Sequence, residues 1–302
     1  MNVIEMNNLS FSYSKKSNKI LENVSMKVPK GAIYGFLGAN GAGKSTTMQL
    51  LTGSLPTSNK ETISLFNKSL EKQLPIIFKK VGTLIESPSL YLHLSGHDNL
   101  AYMAKMKGVI EEEITNVLEL VGLAENSKQK VKEYSLGMKQ RLAIAFALLG
   151  KPQLLLLDEP INGLDPQGVI DIRNLLMQLN KKLGITIFIS SHLLDEIERI
   201  CTHIGILNKG RLVFDGTIEE LKAKSKTNKQ KIAITLKETT PWFEQLNVKY
   251  KKLSLEENTI RFETENKEEI KEILLFLLTS EAEILEMKTV EGLEDLFLKL
   301  SK

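Results

Sequence analysis

Gly38-Ala39-Asn40-Gly41-Ala42-Gly43-Lys44-Ser45 decides how this chain is read. The octapeptide fits G-x-x-x-x-G-K-[ST], the pattern of a loop that cradles nucleotide phosphates. Ala32–Leu37, just before it, is a short apolar run that reads as a buried strand. Thr46–Thr52, just after it, carries Met48, Leu50 and Leu51 and reads as a helix. Strand, loop and helix in that order are the context the motif requires. Glycines let backbone N–H groups approach the phosphates, and the helix start adds a partial positive charge. In such a loop Lys44 holds the β- and γ-phosphates and the Ser45 hydroxyl coordinates Mg²⁺.

The bulk composition narrows the class around that loop. A chain of 302 residues accommodates one large domain and a smaller one. Hydrophobic residues at 42% and charged residues at 25% describe an ordinary globular protein. A net charge of +3 lacks the strongly basic character of a nucleic-acid binder, so no nucleic acid is expected as a partner. Cys201 is the only cysteine, which rules out an intramolecular disulfide and points to a reducing compartment. The start, MNVIEMNNLSFSYS, lacks the charged end and apolar core of a signal peptide. No stretch reaches the roughly 18 apolar residues of a membrane span. Work at a membrane therefore requires another chain to supply the membrane part.

Along the first 220 residues, short apolar runs alternate with helical patterns, the mark of an α/β domain. Strands are expected at Ala32–Leu37, Val81–Ile85, Leu154–Leu157, Thr186–Ser190 and His203–Leu207. Four of them stop beside a polar or turn residue useful for chemistry: Gly38, Glu86, Asp158 and Ser191. Sites in open α/β sheets form beyond the carboxyl ends of the strands, so this convergence locates one. Asn99–Lys107, Glu111–Val121 and Ser135–Leu149 read as helices and form a helical insert within the sheet domain. Lys222–Lys231 holds five lysines and no acid, and reads as a solvated linker. Beyond it Ile232, Ile234 and Leu236 alternate with polar residues, as do Ile260 and Phe262. Lys267–Thr279 and Glu291–Leu300 read as amphipathic helices, with a strand at Ile284–Met287 between them. Together these make a small α+β domain.

Leu154–Leu157 runs directly into Asp158-Glu159-Pro160. Beside a phosphate loop, the Asp that ends such a strand holds Mg²⁺ directly or through water. The Glu after it is placed to polarise a water for attack on the γ-phosphate. Ser135 fits the N-cap of the third insert helix, a role worth about 1 kcal/mol by itself.

Ser135 lies 23 residues before Asp158, within Tyr134-Ser135-Leu136-Gly137-Met138-Lys139-Gln140-Arg141. With the phosphate loop and the acidic strand, this segment resembles the ATP-binding subunit of ABC transporters, whose signature motif Leu-Ser-Gly-Gly-Gln stands just upstream of the acidic strand. The copy here keeps the Ser and the second Gly. The resemblance covers about residues 2–220. It implies an α/β fold: a P-loop NTPase domain of the ABC ATPase type at 1–222 with a helical subdomain over about 87–150. A linker at 223–231 and a C-terminal accessory α+β domain at 232–302 complete the expected organisation.

The resemblance also implies roles, residue by residue. Gly38, Asn40, Gly41, Gly43, Lys44, Ser45 and Thr46 contact nucleotide, Ser45 and Asp158 hold Mg²⁺, and Glu159 is the general base. Tyr13, 25 residues before Gly38, takes the place of the aromatic residue that stacks on adenine. Ser135 and Gly137 bind the γ-phosphate held by the opposite subunit, so that ATP·Mg²⁺ is sandwiched between two chains. Asp165, in Asn162-Gly163-Leu164-Asp165, lies in the loop that crosses that interface. His192 takes the place of the histidine that contacts the γ-phosphate and helps hold the attacking water. His93, His97 and His203 fall on no catalytic position and read as structural.

Glu86 stands where most of the family has a Gln that contacts Mg²⁺ and water in a loop facing the membrane subunit. A carboxylate there can still ligate a hard cation. This Glu, with the Ser-Leu-Gly-Met-Lys-Gln-Arg signature, resembles the ATPases of bacitracin-resistance and lantibiotic-immunity exporters. Gly292–Leu300 is similar to the terminal helix of that subgroup, although its spacing suits any amphipathic helix. The implied protein is a cytoplasmic ATPase, peripheral on the inner face of a bacterial membrane. It pairs head to tail with a second copy and drives integral membrane permease subunits. An importer subunit, an exporter of another substrate and a non-transport ABC ATPase remain open as alternatives. The 91 residues between Lys44 and Ser135 leave no room for the long coiled coil of repair-type members, and one cassette per chain departs from the translation type.

Overall fold

The computed structural model describes residues 1–14, 18–57, 61–85, 90–225, 230–250, 253–264 and 266–289. The chain divides into two compact units, the first being Met1–Ile218 and the second starting at Glu219.

The first unit opens with β1 (Asn2–Phe11), β2 (Leu21–Pro29) and β3 (Ile33–Leu37), then α1 (Lys44–Leu51), β4 (Ile63–Leu65), β5 (Lys68–Ser69) and the single turn α2 (Leu70–Gln73). After β6 (Val81–Leu84) come α3 (Gly96–Lys107), α4 (Glu111–Leu120) and α5 (Leu136–Leu148). It closes with β7 (Leu154–Asp158), α6 (Pro166–Leu183), β8 (Thr186–Ser191), α7 (Leu194–Glu198), β9 (His203–Asn208) and β10 (Arg211–Thr217).

A six-stranded sheet, β10-β9-β3-β8-β7-β6, organises this unit. From β9 to β6 every neighbouring pair is parallel, and β10 returns antiparallel on β9. All five residues of β3 and all six of β8 are buried, the continuous apolar reading of a strand covered on both faces. Each expected strand is present, and β3, β8 and β7 end side by side at Leu37, Ser191 and Asp158. Helices follow from local chemistry. Ser95 caps α3 by accepting from the Asp98 N–H, Asp165 caps α6 with Pro166 in its first turn, and left-handed glycines Gly108 and Gly184 end the same two helices. The helices α3, α4 and α5 pack on one another and bury Leu100, Ile114, Leu118 and Leu142, forming the expected insert.

A second, four-stranded antiparallel sheet, β2-β1-β4-β5, was not anticipated. Its core side chains Val3, Ile4, Met6 and Leu9 do not keep period two, because β1 is bulged at three places against β2. Its buried face joins a core with Tyr34, Phe36, Met48, Leu154 and Phe188, so α1 and the strand before it are packed on both sides.

Past β10, α8 (Ile218–Ser225) runs into the lysine-rich stretch read as linker, and β11 (Gln230–Leu236) already begins at Gln230. Ile218 and Leu221 are buried, and the Glu, Leu, Lys and Ala around them are good helix formers. The second unit continues with α9 (Thr240–Lys249), β12 (Leu253–Glu256), β13 (Thr259–Thr264), α10 (Lys267–Thr279) and β14 (Ile284–Thr289). Its sheet, β12-β13-β11-β14, is antiparallel throughout, which makes β11 to β14 a split β-α-β-β-α-β unit of the ferredoxin-like kind. Ile232, Ile234, Ile260, Phe262, Ile273 and Leu277 form its core. The terminal helix expected at Glu291–Leu300 lies outside the described residues.

Candidate nucleotide site

The site is built at the carboxyl ends of β3, β7 and β8. Gly43 precedes α1 with φ 109°, a conformation L side chains rarely adopt. A Cβ there would also lie 2.8 Å from Leu21 Cδ2 and 3.2 Å from the Ile20 carbonyl, so glycine is required twice over. The first-turn N–H groups of α1, from Lys44 to Thr46, have no helical carbonyl before them and form an anion-binding end. Lys44 is only 6% exposed, and its ammonium donates to the carbonyls of Gly38 at 2.8 Å and Ala39 at 3.3 Å. Gly38 is buried while Asn40, Gly41 and Ser45 lie open on the loop. Thr46 Oγ1 sits 3.2 Å from the Tyr13 hydroxyl, so the exposed Tyr13 ring stands beside the start of α1. Phe11 meets that ring edge-on at 5.2 Å.

Glu159 follows β7 with φ 49°, in the left-handed region that costs a non-glycine residue roughly 1–2 kcal/mol. Its N–H donates to the Ser190 carbonyl at 3.2 Å and to Ser190 Oγ at 3.0 Å, and the Ser190 hydroxyl donates to Asp158. The turned backbone aims the carboxylate back over the phosphate loop. Glu159 Oε1 lies 3.4 Å from Lys44 Nζ, and Oε2 lies 2.9 Å from His192 Nδ1. One carboxylate thus bridges an ammonium at the start of α1 and an imidazole just past β8, the strand next to its own. Ser190 was missed by sequence reasoning; a serine inside an apolar strand carries no signal until its neighbours are known.

The oxygen donors fit a magnesium ion held with phosphates. Ser45 offers a hydroxyl and Asp158 a carboxylate, and among the described residues no cluster of three or more His, Cys, Asp or Glu forms an all-protein cage. Magnesium takes one or two carboxylates plus phosphates and waters, so this sparse donor set is what such a site needs.

Other expected positions lie elsewhere. Ser135 is the N-cap of α5 and accepts from the Met138 N–H at 3.2 Å. A Cβ on Gly137 would meet only Ser135 Oγ, at 3.9 Å, so this end of α5 is open. No contact joins Ser135 or Gly137 to Lys44 or Glu159 among the described residues. Asp165 caps α6 by accepting from the Gly168 N–H at 3.1 Å. The signature helix and α6 are tied by Arg141, whose guanidinium donates to Asp171 at 2.6 Å. Glu86 lies outside the described residues. Ile85, before it, lines a groove of about 720 Å³ between the sheet and the insert, with Phe78, Tyr91, Tyr102, Met106 and Phe146. His97 pairs with Glu111 at 2.7 Å and His203 with Thr202 at 3.0 Å, both structural contacts. Cys201 is buried, and burial pushes its thiol above the usual range, which keeps it protonated and inert.

Comparison with known proteins gives the family. The ABC transporter family model matches residues 21–162. The chain is 44% identical to a bacitracin transport ATP-binding protein of Enterococcus faecalis over 221 residues, 72% of this chain and 70% of that one. It is 42% identical to a lantibiotic transport ATP-binding protein of Streptococcus pyogenes over 225 residues, covering 72% of this chain and 95% of the relative. Among solved structures it superposes on cbiO1 of Clostridium perfringens, part of an ABC transporter complex, with a TM-score of 0.67 at 27% identity, covering 83% of this chain and 96% of that one.

Proposed function

This chain belongs to the ABC transporter family as an ATP-hydrolysing subunit, and we propose that it powers a bacterial exporter conferring protection against cell-wall-active peptides. The single observation that carries the hydrolytic site is the Lys44–Glu159–His192 chain of contacts. In it Lys44 neutralises the β- and γ-phosphates of ATP while the loop glycines Gly38, Gly41 and Gly43, with Asn40 and Thr46, admit and hold them. Glu159 takes a proton from a water as its oxygen bonds to the γ-phosphorus, and the bond to the ADP oxygen breaks. His192, hydrogen-bonded to Glu159, holds the water and the γ-phosphate in line. Ser45 and Asp158, with Glu86 by the family resemblance, would hold magnesium, which would supply charge neutralisation on the phosphate oxygens. Tyr13 stacks on adenine.

Ser135 and Gly137 complete the site of a second copy, head to tail, with Asp165 crossing between the two. The exposure of Ser135 and the open space around Gly137 at the start of α5 support that role. The groove beside Ile85 supports a docking place for a membrane permease: exposed Phe78, Tyr91, Tyr102 and Met106 form an apolar patch of the kind that marks an interface. No helix among the described residues is long and apolar enough to cross a membrane. The likeness to transport ATP-binding proteins supports assigning the membrane span to that partner and this chain to its cytoplasmic face.

Growth of the source strain, intact against Lys44→Ala, on bacitracin, lantibiotics and unrelated drugs tests the reading. Selective sensitisation to the peptides is expected. Unchanged tolerance throughout would leave the ATPase and remove the protective role.

A further inference from the structure

Two of the charged residues of helix α6, Asp171 and Arg173, have opposite engagements. Asp171 accepts from Arg141 of the signature helix at 2.6 Å and from Gln167 at 2.8 Å. Arg173, two residues on, is turned about 200° around the helix axis. Its Nη1 lies 3.6 Å from Glu196 Oε2 on α7. That oxygen is buried and accepts no hydrogen bond among the described residues. A buried carboxylate oxygen in that state is costly, and the guanidinium facing it is what offsets the cost.

The helix α7 has few other means of fixing its position. It is five residues long and has no side-chain N-cap. Its apolar residues Leu194 and Ile197 are buried, and Ile197 seats on Gly35, where an added Cβ would come within 2.3 Å of Ile197 Cγ2. Apolar packing sets how deep α7 sits on β3, but such contact is non-directional and leaves sliding and rotation soft. The charged pair adds a tether at one named point, drawing Glu196 Oε2 on α7 toward Arg173 Nη1 on α6. Glu196 is four residues beyond His192, and Arg173 is eight beyond Asp165, the cap that begins α6.

We propose that Arg173 and Glu196 are a positioning pair that sets His192 against Glu159. Asp171 and Arg173 make α6 a strut with one charged contact to the signature helix and one to the helix behind His192. This rests on the reading that His192 supports attack on the γ-phosphate.

The test uses the full chain with Arg173→Gln, Glu196→Gln, the double variant, and the exchanged pair Arg173→Glu/Glu196→Arg. Glu196→Gln is isosteric and keeps the fold assayable. Each single variant is expected to lower kcat about tenfold while KM for ATP stays within about twofold. The double variant should be no worse than the worse single, and the exchanged pair should recover to within about threefold of wild type. ¹⁵N-histidine NMR gives a second readout, with four histidines to resolve. The His192 signal should move in the singles toward its position in Glu159→Gln and return in the exchanged pair. A His192 signal unmoved in both singles, whatever happens to kcat, overturns the proposal, as does additive loss in the double. Glu159→Gln run alongside separates the cases: if it too hydrolyses normally, the hydrolytic reading has failed rather than the positioning pair.

Discussion

Replacing Glu159 by glutamine removes one proton acceptor and one negative charge while leaving shape and backbone alone. Glutamine and glutamate bear the same strain at φ 49°, so the fold is expected to survive the change. Loss of a positioned general base costs about 10²- to 10⁴-fold in turnover. The charge matters separately. Unit charges 3.4 Å apart attract by about 5 kcal/mol at an effective dielectric of about 20. Lys44 is nearly buried and Glu159 is 21% exposed, so desolvation cancels much of that attraction. What remains holds the ammonium toward the carboxylate and away from phosphate. Its removal is expected to tighten ATP binding by up to about tenfold, or about 1.4 kcal/mol. Phosphate release gives kcat, a fluorescent ATP analogue gives affinity, and size-exclusion chromatography with ATP reads dimer. The expected pattern is turnover down at least about a hundredfold, equal or tighter ATP binding, and accumulated dimer. Turnover within about threefold of wild type refutes the base assignment. Weaker ATP binding refutes the charge reasoning even if turnover falls.

Ser135→Ala and Gly137→Asp are expected to block ATP-driven dimerisation in sedimentation velocity while monomer ATP affinity stays within about twofold of wild type. Equal loss of both properties would remove the signature residues from the partner's site. Gly35→Ala is expected to destabilise the chain by about 1–3 kcal/mol, because the new methyl meets the stiff, branched Ile197 at 2.3 Å and α7 must lift. Thermal unfolding reads that cost, and kcat should fall with it as His192 is carried away from Glu159. An unchanged melting temperature would show that α7 repacks freely.

The parallel half of the fold was legible because burial on both faces leaves unbroken apolar runs. Leu154–Leu157 and Thr186–Ser190 announce themselves without any partner. The antiparallel sheet was not legible, since three bulges scramble the alternation of β1 and its core residues are shared with α1 and β3. Lys44, Asp158 and Glu159 were expected from motif and order, and His192 from the family resemblance. What no motif carried was the way they are held. Ser190, Arg173 and Glu196 come from separate elements, and their pairings span 31, 32 and 23 residues. The sheet order β3-β8-β7, which sets the strand that carries Ser190 and leads into His192 between those of the phosphate loop and the acidic pair, brings Ser190 to the two carboxylates.

That sheet order also explains why the strained residue is Glu159 rather than Asp158. Asp158 completes β7, pairs in register with Ser190, and receives the Ser190 hydroxyl, so its backbone stays extended. A second extended residue would place the next side chain on the opposite face of the sheet, away from Lys44. The left-handed turn at Glu159 brings it back, and the two hydrogen bonds from its N–H to Ser190 offset the strain. Ser190 therefore acts on both carboxylates, holding Asp158 from one side and the Glu159 backbone from the other. Removing its hydroxyl alone would loosen the turn while leaving every residue of the motifs in place, which is why the spacing of motifs, however specific, cannot by itself guarantee a working site.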